Sequence, residues 1–169
     1  MKNTQRLLTW ILVAVMIVVS TVALVACVDK PEPTELTELT LPKLKDNQMA
    51  VIIKNGDNDY TSYVVTLGKA GTDATTGEGV IDYLCAEVGL EVIWEDSTYG
   101  KYLTAIGGAK VVKANEYVMI MTSVEKDKGN WAGVDTYVVD GVSIVYSQVG
   151  ISEMSVEAGA IIYFEIATF

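Results

Sequence analysis

The chain has 169 residues, half of them apolar, and a positive mean hydropathy of +0.32. One end supplies much of that value: Leu7 to Ala26 carries no charge, and beyond Cys27 the 22 acidic residues outnumber the lysines enough to leave a net charge of about −12. Histidine is absent and no arginine follows Arg6, which excludes a histidine-based triad, a histidine metal site, an arginine phosphate clamp and a basic nucleic-acid surface.

Lys2 and Arg6 form a positive n-region ahead of the apolar run that starts at Leu7, which is the layout of an export signal. About 20 residues rising about 1.5 Å each would also span a bilayer core of about 30 Å, so an uncleaved signal anchor is the competing reading. The run ends in Leu24-Val25-Ala26-Cys27, which resembles the lipobox of bacterial lipoproteins. The resemblance implies cleavage between Ala26 and Cys27, and acylation of Cys27 on its sulfur and on its new amino terminus. Several acyl chains, at about 0.8 kcal/mol per buried CH₂, hold a protein on a membrane where a single chain is marginal. In both readings the rest of the chain is expected outside the cytoplasm.

The expected division is a signal peptide over 1–26, a lipidated Cys and Pro/Thr/Glu linker over 27–48, and a domain over 49–169. Pro31, Pro33 and Pro42 all fall in the linker, whose composition suits a semi-extended tether. Cys85 is the one thiol of the domain, so no internal disulfide can form and the fold must stand on its own core.

Within the domain, Met49 to Lys54 is a β-branched run, Asn55 to Asp59 a turn, and Tyr60 to Leu67 an alternating strand, together a hairpin. Thr75-Thr76-Gly77-Glu78 reads as a capping box. Val80, Ile81, Leu84, Cys85 and Val88 recur at helical spacing, and Gly89 is a stop. That stripe puts Cys85 on the buried face as a small core residue. Glu91 to Glu95, a Gly-rich passage through Gly100, Gly107 and Gly108, and the strand Tyr117 to Thr122 follow. Asp135 to Val139 and Val142 to Tyr146 flank the hairpin dipeptide Asp140-Gly141, and Ala160 to Ala167 closes the chain as a central strand. This order predicts an α+β fold with one main helix across a mixed, mostly antiparallel sheet.

Several short motifs recur in this order in a known family. They are Gly79-Val80-Ile81-Asp82-Tyr83-Leu84, Tyr99-Gly100-Lys101-Tyr102-Leu103-Thr104-Ala105-Ile106-Gly107-Gly108, Glu116-Tyr117-Val118-Met119, and Gly150-Ile151-Ser152-Glu153-Met154-Ser155-Val156-Glu157-Ala158-Gly159. The chain resembles the domain of unknown function related to the C-terminal domain of transcobalamin and intrinsic factor, common in exported proteins of Gram-positive bacteria. The resemblance covers most of Val51 to Phe169 and implies a β-grasp-like fold and corrinoid-like small molecules as a ligand class. In the vitamin carriers this domain closes over cobalamin against a large helical domain, which these 169 residues do not contain.

No catalytic set emerges. Asp57-Asn58-Asp59 lacks the spacing of a calcium loop and reads as a turn. Glu95 and Asp96 are adjacent on a strand and point to opposite faces, so they do not form a glycosidase pair. No Gly-x-Ser-x-Gly elbow, Ser-x-x-Lys pair or phosphate loop occurs. The sequence therefore predicts no enzyme, no cofactor and no metal. The candidate ligand-binding residues are Trp94, Tyr99, Tyr102 and Trp131, in or beside loops where rigid scaffolds carry binding groups; core filling is the alternative for Trp94 and Tyr102. The expected function is a membrane-anchored extracytoplasmic binding module for a small molecule or an envelope protein. The alternative is a structural or adhesive surface domain recognised along a sheet edge.

Overall fold

The computed structural model describes residues 32–69, 71–98 and 100–169. The signal segment, the Ala26-Cys27 cleavage and lipidation site, and Tyr99 lie outside the described residues. The strands are β1 (Thr34–Glu35), β2 (Gln48–Gly56), β3 (Asp59–Thr66), β4 (Val92–Ser97), β5 (Gly100–Ile106), β6 (Ala109–Lys110), β7 (Glu116–Thr122), β8 (Thr136–Val139), β9 (Val142–Tyr146) and β10 (Ile161–Thr168). The single α-helix among the described residues is α1 (Gly77–Val88). Seven strands form one sheet in the order β1-β8-β9-β7-β10-β2-β3, and β4-β5-β6 form a second. Only β1 with β8 and β10 with β2 run parallel, so the α+β arrangement on a mixed, mostly antiparallel sheet is observed. No described helix is long and apolar enough to cross a membrane.

The central strands β2 and β10 are apolar on both faces because both faces are covered. Met49, Val51 and Ile53 of β2, with Ile162 and Phe164 of β10, face Val80, Ile81 and Leu84 of α1 and Leu103, Ile106 and Ala109 of the small sheet. Ala50 and Ile52, with Ile161 and Tyr163, face the other way, into a second core with Met119, Met121, Val139 and Ile144.

That second core corrects the expected linker over 27–48. Leu39 is 5 % exposed within it, and Leu36, Leu41 and Leu44 pack on it. The described part of that stretch, from Glu32 on, belongs to the same compact unit as the rest of the domain. The segment is a strap over the sheet, tied by the β1–β8 pairing, by Leu36 N–H to the Val138 carbonyl at 3.0 Å and by Leu41 N–H to Asp140 Oδ2 at 2.8 Å. Its prolines and acids hid four leucines spaced to line one side.

Two smaller corrections concern local signals. Thr76, not Thr75, caps α1: its Oγ1 accepts from Gly79 N–H at 3.3 Å, so Glu78 falls one position short of closing a capping box. The Gly77 and Glu78 amides instead donate to the carbonyls of Met154 and Ile151, each at 2.9 Å. The Gly-rich passage is strand β5 with turns at its ends, Gly107 supplying φ of 55°. Asp140 and Gly141 both have positive φ, 49° and 78°, as a two-residue hairpin turn requires. Cys85 is half-buried against the helix-side core.

Candidate functional site

Of the predicted aromatic residues, the described ones, Trp94, Tyr102 and Trp131, do not meet in one pocket. Trp94 faces inward, partly buried against the helix-side core, so it acts there as packing. Tyr102 and Trp131 line two separate clefts.

The first cleft, of about 370 Å³, lies along the β4–β5 hairpin and reaches the loop before β7. A register shift between Ile93 and Trp94 sets Glu95 opposite Tyr102. The Tyr102 hydroxyl donates to Glu95 Oε2 at 2.8 Å while the residue stays 47 % exposed. That bond to a carboxylate holds the phenol above its ordinary pKa. Across the cleft, Glu116 Oε2 accepts from the Val112 and Lys113 amides at 2.9 and 3.0 Å, and its Oε1 pairs with Lys113 Nζ at 3.0 Å. The Val112 amide first, then the Lys113 ammonium, hold the Glu116 carboxyl below its usual range. Lys110 completes the charged lining. Both acids are thus engaged by neighbours, and the cleft offers an exposed phenol ring, the apolar Ile93 and two lysines.

The second cleft, of about 350 Å³, is built by Trp131 with Val118 and Ile120 of β7, Tyr146, Gln148 and Val149. Trp131 is 46 % exposed yet held on two sides. Its ring meets Tyr146 edge-on at 5.7 Å and 73°. It also lies so close over Gly129 that a Cβ there would come within 2.5 Å of two ring atoms. The loop beneath is anchored by buried Asp127, whose Oδ2 accepts from Ser155 N–H at 2.6 Å and whose carbonyl accepts from Gln148 N–H at 2.9 Å. Gly129 N–H donates to the Tyr146 carbonyl at 2.8 Å. Sequence reasoning found Trp131 from its glycine neighbours but missed Tyr146 and Gln148, which no local signal marks.

A third cluster was not foreseen. Glu165, 5 % exposed, accepts from the Tyr137 hydroxyl on Oε1, and on Oε2 from Lys54 Nζ at 3.1 Å and the Tyr163 hydroxyl at 3.2 Å. Burial first, then the bond and charge of Glu165, push the Tyr137 phenol far up; burial and the Glu165 charge do the same to Tyr163. Burial works against protonated Lys54, but the hydrogen bond and charge of Glu165 outweigh it and its pKa rises. Every member is partnered within the cluster, which ties β2, β8 and β10 together. Among the described residues no buried side-chain polar atom lacks a partner, and no group of three Cys, Asp or Glu is placed to hold a metal ion.

No family model matches the chain, and no curated protein matches it. Among solved structures, a chain from Ruminococcus gnavus ATCC 29149 described as a "putative metal binding protein" is similar with a TM-score of 0.49 at 14 % identity, over 73 % of this chain and 98 % of that one.

Proposed function

We propose that the chain is an extracytoplasmic lipoprotein, anchored through Cys27, whose acidic domain is a non-enzymatic binding module of the β-grasp-like, transcobalamin-C-terminal type. The n-region, the apolar run and the lipobox support the anchor. The observation that carries the binding reading is Tyr102, an aromatic residue left 47 % exposed in a cleft while its hydroxyl is fixed by Glu95. A large ring held in place and unburied is contact area offered to something else. Corrinoid-like small molecules are the ligand class that the family resemblance brings.

A second reading, an adhesive domain joined along a sheet edge, draws on β3. Leu67 N–H bonds back to the Asn47 carbonyl at 2.8 Å, and Ala50 N–H bonds to Ala160 of the other neighbour at 2.9 Å. By alternation, Ser62 and Val64 turn their backbone groups to the open edge of the sheet.

Metabolic labelling with a fatty-acid analogue should mark the wild-type chain and not Cys27→Ser; labelling of that variant overturns the anchor. Thermal shift against corrinoids and peptides should show a stabilising ligand whose effect Tyr102→Ala removes. No shift, with an envelope partner that Val64→Pro loses, favours the edge reading instead.

A further inference from the structure

The Trp131 groove differs chemically from the Tyr102 cleft. The Tyr102 cleft is lined by two acids and two lysines. Yet no charged residue, among the described residues, lines the groove. A bound cation would call for a carboxylate beside the indole, and a bound anion for a lysine; neither is present. What the groove does hold is an indole 46 % exposed, fixed against Gly129 and Tyr146, with the apolar floor of Val118 and Ile120. An uncharged hydrogen-bonding side chain stands beside it. Gln148 Nε2 donates to the Lys126 carbonyl at 2.9 Å, which orients the amide and leaves its Oε1 as an acceptor.

A flat, immobile π-surface in an uncharged groove, with the Gln148 amide beside it, matches a ligand with an apolar face and a polar, uncharged rim. A pyranose ring has that form: its C–H groups lie on one face and its hydroxyls around the edge. We infer that the Trp131 groove is a binding site for a neutral saccharide, with a sugar ring laid on the indole and a hydroxyl met by Gln148. Because the ring is already held by its loop, binding costs little side-chain entropy. Gly129 is then a positioning residue, since only a residue without Cβ lets the indole lie down on the loop. The inference rests on the reading of the domain as a binding module and assigns that module a ligand class at a cleft separate from Tyr102.

The test is titration calorimetry of the full chain in phospholipid nanodiscs with uncharged tetramers of β-1,4-glucose, α-1,4-glucose and β-1,4-N-acetylglucosamine, and with a polyuronate tetramer. At least one neutral tetramer should bind, roughly ten-fold or more weaker to Trp131→Ala and to Gln148→Ala, with Trp131→Phe partly restoring binding and the exposed helix variant Glu87→Gln unchanged. Gln148 is exposed, so its variant keeps the test open if Trp131→Ala unfolds. No heat from any neutral tetramer, equal affinity in both alanine variants, or tighter binding of the polyuronate overturns the inference. Acyl labelling and the corrinoid shift judge the module reading separately.

Discussion

A carboxylate as enclosed as Glu165 loses most of its hydration, and three donors replace it: the Tyr137 and Tyr163 hydroxyls and Lys54 Nζ. The consequence is a definite pH response. Tyr137, Tyr163 and Lys54 all have raised pKa values in the folded state. Each therefore holds its proton more tightly folded than unfolded. The stability they contribute is complete below about pH 10 and is lost as pH rises through and past the ordinary tyrosine and lysine range. Urea midpoints should fall above about pH 10 and more steeply as pH rises further, approaching roughly the slope of two to three protons; Tyr137→Phe should show a shallower fall. An equal slope in the variant would remove Tyr137 from the network. None of this was visible in sequence, because Lys54, Tyr137 and Glu165 come together only through the pairing of distant strands. Trp131 was visible, since glycines at 129 and 133 mark its loop, but its groove was not, since Val118 and Ile120 arrive from β7.

At the level of elements, periodicity was informative where one element buries one face against one neighbour. The α1 stripe, its Gly89 stop at φ of 70° and the Asp140-Gly141 hairpin could all be read from short windows. The strap could not. Proline and acidic residues describe its outer side, and its leucines matter only because a second apolar face of β2 and β10 waits beneath. Leu39 is the sharpest test: at 5 % exposure, Leu39→Ala should cost about 2–3 kcal/mol in chemical denaturation, through lost burial and the space left behind. A tether would lose nothing, so a change under about 0.5 kcal/mol would return the segment to a linker.

For the whole molecule, charge and fold are separate matters. A net charge near −12 beyond the apolar run leaves the compact state repelling itself, while the described ion pairs are only Lys54–Glu165, Lys113–Glu116 and Lys128–Glu125. Screening should relieve that repulsion: raising sodium chloride from 10 mM to 0.5 M should lift the melting temperature by about 3 °C. A drop would mean that the ion pairs outweigh the repulsion. Composition alone sets the sign of this expectation, because it depends on counts rather than on which residues become neighbours.

The strap sets an order on how the chain is made. Its ties run from Leu36 to Val138 and from Leu41 to Asp140, across 99 residues for the latter. The first part of the domain to be synthesised therefore cannot dock until the β8–β9 hairpin, near the far end, has formed. Until then the apolar face of Ile52, Met121, Ile144 and Tyr163 stays uncovered. Closing so long a loop is entropically slow, and the helix-side core carries the same burden, because Ile162 and Phe164 of β10 must return to β2 from the other end of the domain. The strap and β10 should thus lock in late, after the local β2–β3 hairpin and α1 have formed.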